Sequence, residues 1–298
     1  MAGPDRIGID LGGSKIAAVR LDQGGAVLAA HRAATPQGDY SATLDAIMAL
    51  VAQLERGATE PPTIGIGHPG TLDPVTRCVK HCNATWLNGR PFAADLETRL
   101  GRKVRAANDG NCFALSEAVD GAGSGARVVL GIVLGTGCGG GIVVDGRLLG
   151  GTSGSAGEIG HTPALLPGPG RRYPCFCGKL DCLEQYASGT ALSRRYAELT
   201  GRQAGAAAIA DAAEAGEPAA ATVFEEFEQA LARSLGIFAA ALDPEIIVLG
   251  GGLSNLPRLY TRLPPLIGEF SAFRNASPPV RAPRWGDASG ARGAAWLW

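Results

Sequence analysis

Two passages of the chain share one pattern of apolar runs broken by glycine-rich turns. In the first, the apolar runs Ile7–Leu11, Ile16–Val19 and Val27–Ala30 are separated by a glycine turn and then by a polar turn. In the second, Val128–Leu134 and Ile142–Val144 follow the same plan, with Leu148 and Leu149 as the third apolar stretch. Each passage predicts a strand, a glycine-rich hairpin, a second strand, a turn and a third strand. Two copies of one such unit predict a duplicated fold.

Helical patterns alternate with further strands. Leu44, Ile47, Val51 and Leu54 recur at the spacing of one face of a helix. The region from Leu183 to Leu242 is mostly helical, and Glu245–Leu249 predicts a buried strand followed by another helix. Shorter strands are predicted at Thr63–Gly67 and Lys103–Ala107, and a closing helix at Ala288–Trp298. This alternation predicts the α/β class.

The duplicated units predict two lobes with an active-site cleft between them. We expect a small lobe at residues 1–115, completed by the C-terminal helix at about 285–298. The large lobe is expected at residues 116–284, and it contains a loop at 161–182 that carries candidate metal ligands.

Composition excludes several classes of protein. The chain has 298 residues, 46% of them apolar and 18% charged, so it can bury a substantial core. Its formal net charge of -1, with no basic block, argues against nucleic acid or an anionic membrane as the main partner. No apolar run approaches the roughly 18–20 residues of a membrane span. The first strand begins too early to leave room for a secretory signal, so we expect a cytoplasmic protein.

Three glycine-rich loops are candidates for phosphate binding, although the chain has no Walker motif. They are Gly12-Gly13-Ser14-Lys15, Gly135-Thr136-Gly137 and Gly250-Gly251-Gly252. Backbone amides approach phosphate oxygens closely where side chains are missing. Asp10, beside the first loop, is suited to holding Mg²⁺ against the phosphates. The alternative for any one loop is an ordinary tight turn, but matched loops favour nucleotide binding.

A group of cysteines and one histidine has the spacing of a metal site. His161, Cys175, Cys177 and Cys182 provide three thiolates and an imidazole, a full tetrahedral set that predicts structural zinc. The alternative is three free or disulfide-bonded cysteines with an unrelated histidine. Asp109, between a predicted strand and a predicted helix, also has two possible roles: it could accept a proton in catalysis or cap the helix.

Five motifs together resemble the ROK family of repressors and sugar kinases. They are Asp10–Lys15, Asn108–Asn111, Leu134–Gly137, Gly157–His161 and Cys175–Glu184, and the resemblance extends from Arg6 to Trp296. It implies the actin-like ATPase (ribonuclease H-like) fold, with ATP and Mg²⁺ as cofactors. The passage from Asn83 to Phe92, which contains Trp86, is most similar to the fructokinase branch.

The resemblance also implies roles for individual residues. Asp109 is the general base, and the zinc ligand His161 also faces the sugar. Gly250, Gly251 and Gly252 lie under the adenosine, and the chain is expected to form a homodimer. The sugar ligands are Asn83, Asn108, Asp109, Glu158, His161 and Glu184.

The expected reaction is transfer of the ATP γ-phosphoryl group to the 6-hydroxyl of fructose, with mannose as a second substrate. Kinases for N-acetylglucosamine or glucose are the alternatives within the family. A non-catalytic, sugar-responsive regulator is the remote alternative, because family repressors carry a DNA-binding segment before the first hairpin. Two residues depart from the family pattern: His68 stands for an aliphatic residue, and Asp181 stands for the glycine before the last zinc cysteine.

Overall fold

The computed structural model describes residues 3–166, 170–271 and 277–298. Parts of the predicted zinc loop (167–169) and of the predicted large lobe (272–276) lie outside the described residues. The strands are β1 (Arg6–Leu11), β2 (Lys15–Leu21), β3 (Val27–Ala34), β4 (Thr63–His68), β5 (Thr71–Leu72), β6 (Val79–Lys80), β7 (Val104–Asn108), β8 (Val128–Leu134), β9 (Cys138–Val144), β10 (Arg147–Leu148), β11 (Ile246–Gly250) and β12 (Val280–Arg281). The α-helices are α1 (Tyr40–Leu54), α2 (Phe92–Leu100), α3 (Asp109–Val119), α4 (Gly189–Thr200), α5 (Ala206–Glu214), α6 (Pro218–Leu242), α7 (Arg258–Phe270) and α8 (Ser289–Ala295).

Two five-stranded sheets have the same strand order. The first is β3-β2-β1-β4-β7 and the second is β10-β9-β8-β11-β12. In the first sheet, β1 pairs antiparallel with β2 and parallel with β4. In the second, β8 pairs parallel with β11, which occupies the place that β4 has beside β1. The predicted α/β class and duplicated unit are therefore confirmed.

The chain forms two compact units. One comprises Met1–Gly125, Gly141–Gly157 and Arg284–Trp298, and the other comprises Ala126–Gly140 and Glu158–Pro283. We call them the first and second units. The lobe boundaries expected from the sequence stay a prediction. Among the residues described, no helix has both the length and the apolar character to cross a bilayer.

The core of the first unit lies between its sheet and the helices α1 and α2. Asp39 caps α1 by accepting a hydrogen bond from the amide of Ala42, and the apolar face of that helix is buried. On the other side of the sheet lies α8. A Cβ atom on Gly8 or on Gly65 would lie 1.9 or 1.8 Å from a carbonyl oxygen of α8, so both strands need glycine there.

A buried glutamate joins α3 to the C-terminal segment. Glu117 is fully buried, and its carboxylate accepts hydrogen bonds from the amides of Ala122 (2.9 Å), Arg284 (3.0 Å) and Trp285 (3.4 Å). It also accepts one from Ser289 Oγ at 2.8 Å. The helix that begins at Asp109 is thereby fixed to the segment that leads into α8.

The second unit packs four helices, α4 to α7, with β8, β11 and β12. Phe224, Phe227 and Leu231 of α6 are buried. Glu228, also fully buried, is paired with Arg258 of α7 at 2.8 Å. The region predicted to be mostly helical thus contains three α-helices, α4, α5 and α6.

Candidate active site

The first glycine hairpin has its carbonyls engaged and its central amides exposed. Thr35 Oγ1 donates to the Gly12 carbonyl at 2.8 Å, and Gln37 Nε2 donates to the Gly13 carbonyl at 2.8 Å. The Thr35 amide donates to the Ser14 carbonyl at 3.0 Å. Within the described ranges, no acceptor is bonded to the amides of Gly13 and Ser14. The hairpin therefore offers two amides to an anion. Thr35 and Gln37 were not predicted from the sequence.

Asp10 and Lys15 flank this hairpin. Burial, followed by the negative charge of Asp109, raises the pKa of Asp10 to about 7, while the charge of Lys15 acts in the opposite direction. Crowded carboxylates of this kind are relieved by a cation. Lys15 Nζ lies 3.1 Å from Asp287 in an exposed ion pair, which is worth little in water and leaves the lysine able to reach another anion.

Asn108 caps α3, which settles one alternative for its neighbour. The Asn108 side-chain oxygen accepts from the amides of Gly110 (2.9 Å) and Asn111 (3.3 Å), and its Nδ2 donates to the Gly70 carbonyl at 3.0 Å. Asp109 is consequently the first residue of the helix, and the helix does not need it as a cap. The cap engages the Asn108 oxygen, and the bond to Gly70 uses one of its two N–H groups.

The Asp109 side chain is accessible to solvent, yet protein surrounds it closely enough to limit its hydration. This desolvation raises the pKa of Asp109, and hydrogen bonds from the Gly110 amide and from Asn108 act in the opposite direction. A solvent-accessible carboxylate with a raised pKa is suited to accepting a proton.

The loop around Asn83 belongs partly to the core. Asn83 is exposed, and the side chain of Asn88 closes the loop by bonding the amide (3.0 Å) and carbonyl (2.9 Å) of Cys82. Trp86 packs against the hydrophobic core of the first unit. His68 is fully buried, with its ring edge-on to Phe92 at 5.8 Å, and burial lowers its pKa. The departure at His68 is therefore accommodated in the core.

The second glycine hairpin is anchored by α4 and by Glu184. The amides of Gly189 and Thr190 donate to the carbonyls of Gly135 (2.8 Å) and Thr136 (3.4 Å). Glu184 Oε2 accepts from the Cys138 amide at 3.0 Å and lies so close to Gly137 that a Cβ there would be 2.3 Å away. In the part of the chain that the structure describes, the amides of Thr136 and Gly137 have no bonded acceptor. This repeats the arrangement of the first hairpin.

A pocket of about 620 Å³ opens beside this hairpin in the second unit. It is lined without any charged side chain, by Gly135, Thr136, Gly189, Thr190, Ser193, Ala206, Ala207, Gly252, Leu253 and Leu256. Its size and mixed apolar and hydroxyl lining suit a nucleoside. The sequence identified the two glycine loops but not the contributions of α4 and α5.

The third glycine loop packs directly on β8. Gly250 ends β11, and Gly251 has φ +78. A Cβ atom on Gly251 would lie 2.4 Å from the Leu134 carbonyl oxygen, which is too close for a side chain. Only glycine fits this position. Gly252 then reaches the pocket.

The predicted metal ligands converge. The ligand atoms of His161, Cys175, Cys177 and Cys182 all lie within 4.8 Å of one another. Cys175 Sγ is 3.4 Å from His161 Nδ1, and Cys177 Sγ is 3.5 Å from Cys182 Sγ. Tetrahedral zinc with bonds of about 2.3 Å to sulfur would hold its sulfurs about 3.8 Å apart, so the four side chains fit the ion.

Charge and hydrogen bonding in the cluster support the same geometry. Burial, together with the neighbouring sulfurs, raises the pKa of Cys182 to about 12, so its thiolate needs a cation nearby. His161 Nδ1 faces the sulfurs, while its Nε2 lies 4.0 Å from Glu158 Oε2. Glu158 and His161, both predicted sugar ligands, thus lie together in the second unit.

A family model described as ROK family matches residues 6–298. The chain belongs to the ROK family. An N-acetyl-D-glucosamine kinase from Pasteurella multocida is 39% identical over 98% of each chain. The crystal structure of a ROK hexokinase from Thermus thermophilus superposes with a TM-score of 0.87, at 32% identity over 98% of this chain and 97% of that one. A ROK family glucokinase from Streptomyces griseus, in complex with glucose and AMPPNP, superposes with a TM-score of 0.81 at 32% identity over 98% of both chains.

These relatives confirm the family and the actin-like ATPase fold, and they correct the expected branch. The predicted similarity to fructokinases is wrong, because relatives of 37 to 39% identity are N-acetyl-D-glucosamine kinases. Trp86, part of the passage that suggested the fructokinase branch, is a packing residue of the core.

Proposed function

We propose that this ROK family protein is an ATP-dependent N-acetyl-D-glucosamine kinase that phosphorylates the 6-hydroxyl of its sugar. The observation that carries the proposal is the 39% identity to the Pasteurella multocida N-acetyl-D-glucosamine kinase over nearly all of both chains. Fructose, the substrate expected from the sequence, is not supported by any of these relatives.

Asp109 is the proposed general base. It is accessible, and desolvation raises its pKa, so it can take the proton of the attacking hydroxyl as the bond to the γ-phosphorus forms. Asp10 would hold Mg²⁺, which would neutralise charge on the phosphates. Most of the remaining catalysis would come from positioning, to which the Asn108 cap contributes by fixing the start of α3.

The nucleotide is assigned to the glycine loops and to the pocket of the second unit. The exposed amides of Gly13 and Ser14, together with those of Thr136 and Gly137, are suited to phosphate oxygens. Lys15 adds a positive charge beside the first hairpin. The adenosine would occupy the pocket of about 620 Å³ next to Gly252.

The sugar is assigned to Asn83, Asn108, Asp109, Glu158, His161 and Glu184, which supply hydrogen-bond donors and acceptors for its hydroxyls. A site that pairs each hydroxyl discriminates strongly, because an analogue that lacks one leaves a buried polar group unpaired. His161, Cys175, Cys177 and Cys182 would hold a structural zinc ion that keeps their loop folded.

Turnover of ATP·Mg²⁺ with a panel of sugars tests the proposal. Formation of ADP would be followed with N-acetylglucosamine, glucose, mannose and fructose, and the phosphorylated position would be assigned by NMR. We expect the highest kcat/KM with N-acetylglucosamine. Glucose is the second candidate, because the Streptomyces griseus glucokinase is 32% identical over 98% of both chains. Preference for another sugar, or no ADP formation with any of them, would overturn the proposal.

A further inference from the structure

Asp181 occupies a backbone position that favours glycine. Its φ of +54 places it in the left-handed region, directly before the cluster cysteine Cys182. Most residues with a side chain are strained there, while aspartate tolerates the region better than most. A glycine would fit the backbone at no cost, so the carboxylate calls for a separate explanation.

The Asp181 carboxylate is bonded to three donors of the same loop. Oδ1 accepts from the Tyr173 amide at 2.9 Å and from the Tyr186 hydroxyl at 2.6 Å. Oδ2 accepts from the Arg172 amide at 3.1 Å. The Tyr186 hydroxyl in turn accepts from the Arg171 amide at 3.0 Å. The Asp181 side chain thus binds the backbone shortly before Cys175 and the hydroxyl of Tyr186 shortly after Cys182.

The backbone of Asp181 joins two more segments. Its amide donates to the Tyr173 carbonyl, and its carbonyl accepts from the Ala164 amide, both at 2.8 Å. Gly170 passes so close that a Cβ there would lie 2.1 Å from Asp181 Oδ2. Residue 181 is therefore the point at which the segments carrying His161, Cys175 and Cys182 are tied to one another.

We propose that Asp181 is a positioning residue that assembles the metal ligands before the ion binds, so that its carboxylate slows metal release. The inference rests on the proposed zinc site. Ligands held in place bind an ion more tightly, because less chain entropy is lost when the ion arrives. The carboxylate acts on the loop, and none of its bonds is to a ligand atom.

Zinc release to a chromogenic chelator, measured far below the unfolding temperature, tests the proposal. Asp181→Gly keeps the left-handed backbone and removes the three accepted bonds, whereas Asp181→Asn keeps one acceptor oxygen. The matched control is Asp243→Gly, the same substitution at a left-handed position (φ +45) at the end of α6. We expect zinc release about tenfold faster in Asp181→Gly, an intermediate rate in Asp181→Asn and an unchanged rate in the control.

The outcomes separate the two proposals. Equal release rates for wild type and Asp181→Gly, with one zinc bound to each, would overturn the positioning role of Asp181 and leave the metal site standing. Wild-type protein that binds no zinc would refute the metal site, and with it the positioning role of Asp181. Should Asp181→Gly fail to fold, Asp181→Asn decides, because a wild-type release rate in that variant contradicts the role of the carboxylate. The sugar panel reports on kinase function independently of both results.

Discussion

Replacing Glu117 with alanine removes the acceptor for four donors in the interior of the first unit. The donors are three backbone amides and the Ser289 hydroxyl, at 2.8 to 3.4 Å. A buried donor left without a partner costs about 1–3 kcal/mol. Because Arg284 and its neighbours lie near the surface, water can reach part of the vacated space, and the lower figure applies. The free energy of unfolding should therefore fall by about 4 kcal/mol, a large share of the stability of a typical domain.

Denaturant unfolding, followed by tryptophan fluorescence, measures this loss directly, since Trp285 donates one of the four bonds. Glu117→Gln keeps one oxygen and places an amide group against two donors, so it should cost about half as much. Glu225→Ala, at an exposed position of α6, is the matched control and should stay within about 0.5 kcal/mol of wild type. If Glu117→Ala lost less than about 1 kcal/mol, the hydrogen bonds would not be holding the C-terminal segment to α3.

Four further predictions concern the proposed site. Asp109→Asn should fold, bind sugar and lose about 10²–10⁴-fold in kcat; near-normal turnover would remove Asp109 as the base. Because desolvation by the surrounding protein raises the pKa of Asp109, the acidic limb of kcat/KM should lie above the ordinary aspartate value of about 3.9. A limb at or below that value contradicts the raised pKa. Gly251→Ala should destabilise the protein by about 2 kcal/mol or more, measured by calorimetry, and weaken ATP binding. Gly252→Ala has open space for its Cβ and should cost less stability. Chelation should release one zinc per chain and make the loop around Cys175 sensitive to protease, and an unchanged digestion pattern would show that the ion does not hold the loop.

The sequence predicts well those features that depend on the spacing of residues close together in the chain. The two glycine hairpins and the Cys/His cluster each depend on a short run of residues, and the structure brings the cluster ligands within 4.8 Å of one another. The common strand order of the two sheets likewise follows from a repeated local pattern.

Hydrogen-bond partners that are distant in the sequence cannot be predicted from local patterns. Thr35 and Gln37 engage the hairpin carbonyls from beyond β3, and Glu117 finds three of its donors in the C-terminal segment. The capping role of Asn108 was missed although asparagine is a preferred N-cap, since the neighbouring aspartate was an equally good candidate. The sugar was misjudged for a related reason. The fructokinase branch was expected from the passage Asn83–Phe92, whose Trp86 packs against the core of the first unit.

The contacts of α8 set an order in which the protein can be built. Gly8 and Gly65 admit this helix against strands from the first part of the chain, and Gly290 brings it against Asp10. During translation the ribosome makes residues 289–295 only after all of β8 to β12. The nascent first unit must therefore wait, with one face of its sheet uncovered, while the entire second unit is synthesised. A chaperone that shields this face should raise the yield of active protein, and Asp10, which Gly290 of α8 approaches, acquires its final surroundings last.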